Sequence, residues 1–211
     1  MRTNFYVDGF NLYYRAVRET PYKWLDLLKF CQQLSPAHVV NRIRYFTARI
    51  RPRTGDLQGP QRQQTYIRAL ETIPNLHVHY GQFRPRIKTR PLVTPVEGLP
   101  RFVQIRDTEE KGTDVNLATY LLVDGYNSDY EQAVIVSNDS DFAEPIKIVR
   151  NELGLPVGVV NPNIDPSQHA PMELSDAAAF VRRLRERTLR SAQFPPALRD
   201  AQGIITKPSV W

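Results

Sequence analysis

Ala133-Val134-Ile135-Val136-Ser137-Asn138-Asp139-Ser140-Asp141-Phe142 is an apolar, mostly β-branched run that ends in a turn carrying two carboxylates. A run this short with no polar face reads as a strand covered on both sides, the kind that lies centrally in a parallel sheet. A helical pattern follows over about 142–153 and stops at Gly154, which suits the left-handed backbone of a helix C-terminus. A further strand, Val157-Gly158-Val159-Val160, comes next. The N-terminus has the same construction: a strand over Thr3 to Val7 runs into Asp8-Gly9-Phe10-Asn11.

Between these two segments strands and helices alternate, the sign of repeated βαβ units and of an α/β fold with a mainly parallel sheet. Leu25, Leu27, Leu28, Cys31 and Leu34 recur at helical spacing and predict a helix ending before Ser35-Pro36. Strands are expected over Val39 to Ile50 and Leu76 to Phe83, with a helix over about 60–73 between them. Pro85, Pro91, Pro95 and Pro100 exclude a regular helix from Arg84 to Asp107, and Phe102-Val103-Gln104-Ile105 alternates like a short edge or hairpin strand. That stretch is read as an excursion over the surface. A helix from Thr113 should bury Val115, Ala118, Leu121 and Leu122, and a last helix, about Met172 to Arg187, should turn Ala177, Phe180, Val181 and Leu184 to the core. Residues 1–188 thus form one domain. Residues 189–211, with Pro195, Pro196, Gly203 and Pro208 and no period, read as a tail for which disorder is the simpler expectation. Its Phe194, Ile204, Ile205 and Trp211 offer a means of docking.

The 211 residues hold 28 Lys and Arg against 22 Asp and Glu, a formal charge of +6 that favours polyanionic partners. Cys31 is the sole cysteine, so an intrachain disulfide and a thiolate zinc site are both excluded. With no leader-like N-terminal segment and no long apolar run, a soluble cytoplasmic protein is expected.

In a parallel α/β sheet the carboxyl ends of the strands share one edge, where ligands bind. Asp8 and Asp139 each follow an apolar strand at once. Asp141 lies two residues further on, and Asp114, in Lys111-Gly112-Thr113-Asp114, opens a helix expected on the same rim. Four converging carboxylates repel one another unless cations neutralise them, and such hard oxygen donors suit Mg²⁺ or Mn²⁺. Singly, each aspartate has an ordinary explanation, and Asp141 reads equally well as a helix N-cap; the ordered set carries the inference. Arg84, Arg86, Lys88, Arg90, Arg101 and Arg106, opposed before Asp107 only by Glu97, are assigned to substrate backbone contacts, as are Arg49, Arg51 and Arg53, with a solvated basic face as the competing explanation. Phe10, Tyr13 and Tyr14 suit stacking on unpaired bases, although helical aromatics more often belong to a core. Lys111 suits a phosphate contact or a charge partner for Asp114. The arginines from Arg182 to Arg190 are explained by a helix C-terminus.

The ordered motifs Asp8-Gly9-Phe10-Asn11, Lys111-Gly112-Thr113-Asp114 and Ser137-Asn138-Asp139-Ser140-Asp141-Phe142 resemble those of the NYN family of PIN-like nucleases over about 4–160. The resemblance implies a three-layer α/β/α sandwich and metal-dependent RNA cleavage. It makes Asp8, Asp114, Asp139 and Asp141 the catalytic, metal-binding set, with Asn11 and Ser137 in support. Asn138 stands where that family often has Gly. The expected function is a divalent-metal-dependent endoribonuclease acting on single-stranded or loop RNA. The competing readings are a catalytically silent RNA-binding or adaptor protein of the same fold and, less favoured, a phosphatase for small substrates.

Overall fold

Seven strands build the central sheet: β1 (Arg2–Asp8), β2 (Val39–Ala48), β3 (Leu76–Pro91), β4 (Phe102–Lys111), β5 (Gln132–Val136), β6 (Val157–Asn161) and β7 (Phe180–Arg183). Their order across the sheet is β4-β3-β2-β1-β5-β6-β7. All neighbours pair in parallel except β3 with β4. The computed structural model describes residues 1–94, 98 and 100–211; Pro95 and Glu97, which belong to the basic insertion, lie outside the described residues. Among the described residues seven α-helices accompany the sheet: α1 (Gly9–Leu12), continued by a wider turn over Tyr13–Val17, α2 (Leu27–Leu34), α3 (Gly59–Leu70), α4 (Thr113–Tyr126), α5 (Ala143–Glu152), α6 (Met172–Ala177) and α7 (Glu186–Ser191).

Alternation along the strands divides the core into two sides. Phe5, Val7, Ile43, Val134 and Val136 pack with α2 and with Ala69 and Leu70 of α3. Tyr6, Phe46, Ile135 and Val159 face the other way, toward Leu117 and Leu121 of α4, Ile146 and Val149 of α5, and Leu174 of α6. The result is the expected three-layer sandwich. Both faces of β5 are covered, which is why its sequence shows no polar alternation.

Four features differ from the sequence reading. The insertion is a long two-stranded ribbon: Leu76–Gly81 of β3 pair with β2, and from Gln82 onward the same strand pairs antiparallel with β4. Prolines are tolerated there because the ribbon stands off the sheet as an edge. In α4, Leu121 is buried as expected and Ala118 and Leu122 are half-buried, but Val115 is 69% exposed and Leu117 is buried in its place. The predicted last helix ends at Ala177, and Phe180–Arg183 instead joins β6 as the edge strand. The ladder groups of β6 need partners, and pairing with them outweighs the modest local helix preference of this segment. Residues after Leu189, expected to lack order, pack on the domain. Trp24 Nε1 donates to the Pro195 carbonyl at 2.8 Å, Phe194 and Ile205 are buried, and Arg68 grips Asp200 through two bonds of 2.7 and 2.6 Å. These residues form a hairpin of β8 (Ala197–Asp200) and β9 (Gly203–Thr206), while Ile204 points outward. Among the described residues no helix is long and apolar enough to cross a membrane.

A buried ion pair fastens α4 to the sheet. Arg44 of β2 donates to both carboxylate oxygens of Asp124 at 2.6 Å, and Tyr6 Oη donates to the same carboxylate at 2.8 Å. Arg44 also lies 4.2 Å from the Tyr120 ring centroid and 3.1 Å from His79 Nε2. Burial and the Arg44 charge hold the His79 imidazole down at about 4, so it is neutral at pH 7. Removing one member of such a pair strands the other charge out of water. Asp124→Ala should therefore cost about 3–5 kcal/mol in urea unfolding; a loss below about 1 kcal/mol would show that the pair does not anchor α4.

Candidate active site

β1 and β5 run side by side in register, Val7 opposite Val136, so the residues that follow them emerge together at one sheet edge. Asp8 caps α1, accepting the Asn11 N–H at 2.9 Å through Oδ1. Its Oδ2 accepts the Ser137 hydroxyl at 2.9 Å. Ser137 Oγ in turn accepts the Asp139 N–H at 3.2 Å, and Asn11 Oδ1 accepts the Asn138 N–H at 3.2 Å. Two motifs more than a hundred residues apart are thus laced through the side chains of Asp8, Asn11 and Ser137. Asp139 caps the turn that precedes α5, accepting the Asp141 N–H at 3.1 Å. The cap is therefore Asp139, not Asp141, and the more exposed Asp141 is free of that duty.

The third segment arrives through β4. Gly81 lets β3 and β4 cross closely: a Cβ there would lie 2.8 Å from the Lys111 carbonyl oxygen. Gly112 then turns the chain with φ of 103°, a left-handed value that favours glycine, and α4 begins with Asp114 in its first turn. Burial, followed by the charges of Asp8, Asp139, Glu110 and Asp141, raises the Asp114 carboxyl to about 6. Asp8 is raised chiefly by burial, with the hydrogen bonds from Asn11 and Ser137 opposing and the Asp139 charge adding to the rise. All four expected aspartates are therefore neighbours at one edge. Glu110, which the sequence reading passed over, is a fifth acid in this field. Its carboxylate accepts from Thr113 Oγ1 at 2.6 Å and the Thr113 N–H at 3.3 Å, serving the start of α4 where Gly112 has no side chain to do so. The only signal was its place two residues before Gly112.

The donor chemistry fits a divalent cation: hard oxygens, accumulated negative charge, and a buried Asn138 Oδ1 without a hydrogen-bond partner. Among the described residues no three acidic, histidine or cysteine side chains are gathered tightly enough to hold an ion by themselves. That spacing is compatible with Mg²⁺, which commonly keeps several waters and takes only one or two carboxylates.

The cations divide. Lys111 pairs with Glu109 at 3.8 Å rather than with Asp114. Lys88 is engaged by Asp107 at 2.8 Å and by Glu109. Strand alternation sets Arg84, Arg86, Lys88 and Arg90 on one ribbon face and Arg106 on the other. Arg101 lies just before β4. Arg49 stacks on Tyr80, 5.0 Å from its ring centroid, while Arg51 and Arg53 line a cavity beside α1. Tyr13 and Tyr14 are 37% and 48% exposed, so they are not core residues.

The parallel sandwich with acids at its carboxyl edge fits a PIN-like fold. The NYN domain family matches residues 2–184, and the chain belongs to that family. It is 32% identical, over its whole length and 75% of the other protein, to the 6-hydroxy-3-succinoylpyridine 3-monooxygenase HspA of Pseudomonas putida. A solved structure of a protein of unknown function from Vibrio parahaemolyticus matches the fold with a TM-score of 0.57 and 15% identity, over 88% of this chain and 93% of that one.

Because Asp114 titrates near 6 when folded against an ordinary 3.8, the folded state binds more protons between those values, and stability falls as pH rises through that window. In EDTA at pH 7.5, Asp114→Asn should raise Tm by about 1–3 °C, given partial solvent screening. The gain should shrink below pH 6 and vanish near 3.8. A Tm lowered at pH 7.5 would contradict the crowding of charge at this edge.

Proposed function

We propose that this protein hydrolyses phosphodiester bonds of single-stranded or loop RNA with Mg²⁺ or Mn²⁺, at the edge formed by Asp8, Asp114, Asp139 and Asp141. The observation that carries this reading is the lacing of Asp8 to the Ser137–Asp139 turn beside Asp114: burial first, with neighbouring carboxylate charge adding, holds Asp8 and Asp114 above the ordinary carboxylate range, and a divalent cation would relieve that negative field. A cation held there would supply a polarised water and neutralise charge on the phosphoryl oxygens. The chain's own residues would do the rest. Ser137 and Asn11 hold Asp8 in one orientation, leaving its remaining lone pairs for a cation. An acid of this edge left outside the cation's coordination would take a proton from an attacking water. Arg84, Arg86 and Arg90 on the ribbon, with Arg51 and Arg53, would offset repulsion between the acidic edge and the phosphate backbone. Lys88 contributes less, since Asp107 and Glu109 already occupy its ammonium.

A second reading has its own support, the similarity of the whole chain to 75% of a monooxygenase. On that reading the same domain would direct oxygenation of a small heteroaromatic acid, with O₂ and an electron donor as co-reactants.

The two separate cleanly in the test tube. Purified protein with Mn²⁺ and mixed single-stranded and hairpin RNAs should yield internal cleavage, EDTA should stop it, and Asp139→Asn should slow it by at least about 100-fold. Undiminished cleavage by Asp139→Asn would overturn the site assignment. Salt-sensitive RNA binding that survives both EDTA and the substitution, with no RNA cut, would favour the silent adaptor. O₂ uptake dependent on 6-hydroxy-3-succinoylpyridine and an added electron donor, again with no RNA cut, would favour the oxygenase.

A further inference from the structure

A cavity of about 520 Å³ is lined in part by Gly9, Phe10 and Leu12 of α1, the residues that follow Asp8, and lies within the size range of small-molecule sites. Its aromatic walls come from separate segments: Phe10, Tyr13 and Tyr14 on α1 and its continuation, Tyr45 on β2, Tyr66 on α3, and Trp211. The rings support one another. Phe10 and Tyr14 lie nearly parallel with centroids 6.5 Å apart, and Tyr66 meets Tyr45 and Trp211 edge-on at 6.4 and 6.0 Å. Five cations, Arg18, Lys23, Arg51, Arg53 and Arg62, also line it, against one carboxylate, Asp56. That carboxylate is already taken, because Arg62 Nη2 holds Asp56 Oδ1 at 2.5 Å. Arg18 is partly engaged over the Tyr14 ring, 5.6 Å from its centroid.

A lining this rich in aromatic faces and net positive charge selects for two properties together. A flat π system can lie against the exposed tyrosines, while Arg51, Arg53 and Lys23 call for an anionic group on the same molecule. The wall toward the acidic edge is thin. Gly9, which directly follows Asp8, lines the cavity, and a Cβ on it would lie 2.7 Å from the Tyr45 ring and 2.7 Å from the Phe46 carbonyl oxygen. Asp8 is also felt by the buried Tyr45 phenol, which burial first and that charge second push upward. A ligand in the cavity would therefore sit one backbone layer from Asp8.

We propose that this cavity binds a planar aromatic ring carrying an anionic group. The site is formed by the tyrosines of α1 and the Arg51-Arg53 segment. Two sources share that chemistry, a nucleotide of an RNA strand and a free heteroaromatic acid. The nucleotide source rests on the phosphodiester reading, with which the site shares Arg51 and Arg53, but binding here requires neither cleavage nor a cation, so the two can fail separately.

The test is calorimetric titration of the full chain in EDTA with four probes: uridine 5′-monophosphate, uridine, nicotinate and cyclohexanecarboxylate. At least one of the two ring-bearing anions should bind, and about tenfold or more tighter than its control lacking the charge or the ring. Tight uridine 5′-monophosphate with weak nicotinate assigns the site to a nucleotide; the reverse assigns it to a free acid. Tyr14→Ala should erase the preference for nicotinate over cyclohexanecarboxylate. The double substitution Arg51→Ala and Arg53→Ala should erase the preference for the monophosphate over uridine, and both changes are at exposed positions that leave the core intact. No saturable binding of either ring-bearing anion, or ring and charge preferences that survive these substitutions, would overturn the proposal.

Discussion

The parallel pairing of β1 with β5 is the constraint on which the site depends. Two adjacent strands that end in register deliver their succeeding residues to one place, and here both strands lead into aspartate. Ser137 makes that proximity tolerable, with its hydroxyl donating to Asp8 and its oxygen accepting from the backbone of Asp139. Both aspartates also terminate strands by capping the next turn, so a local folding role and a place at the acidic edge coexist in the same side chain. The ordinary explanation of each residue and the functional one are not alternatives.

Charge is handled in opposite ways on the two sides of α4. At its start Asp114 is crowded by like charges and carries a raised proton affinity. Near its end Asp124 is buried but fully satisfied by Arg44 and Tyr6. The paired end supplies rigidity, and the unpaired end holds the electrostatic strain that a cation or a proton can relieve. The same division recurs in the ribbon, where Lys88 is spent on Asp107 and Glu109 while neighbouring arginines on that face extend from the molecule.

The region after β6 shows why local pattern misleads at a sheet edge. From Met172 to Arg187 the residues suit a helix well enough, yet β6 presents an unpaired ladder, and Phe180–Arg183 satisfies it. The C-terminal residues behave similarly. Trp24 and Tyr66 leave aromatic surface that Phe194 and Trp211 cover, and Arg68 awaits a carboxylate that Asp200 provides. No periodicity marks such partners, because they are defined by surfaces assembled elsewhere in the chain.

From its residues alone this chain determined an α/β sandwich and a run of acids bound for one edge. Apolar strand segments must be buried, and carboxylates that succeed parallel strands have only one edge to occupy. Tertiary structure decided the rest. It brought Glu110 into the acidic field through the crossing of β3 and β4, directed Lys111 to Glu109, and turned Val115 outward in favour of Leu117. It also assembled a cationic aromatic cavity from α1, β2, α3 and the C-terminal residues. Each of these depends on distances between segments far apart in sequence, and such distances are set by packing, for which local spacing carries no record.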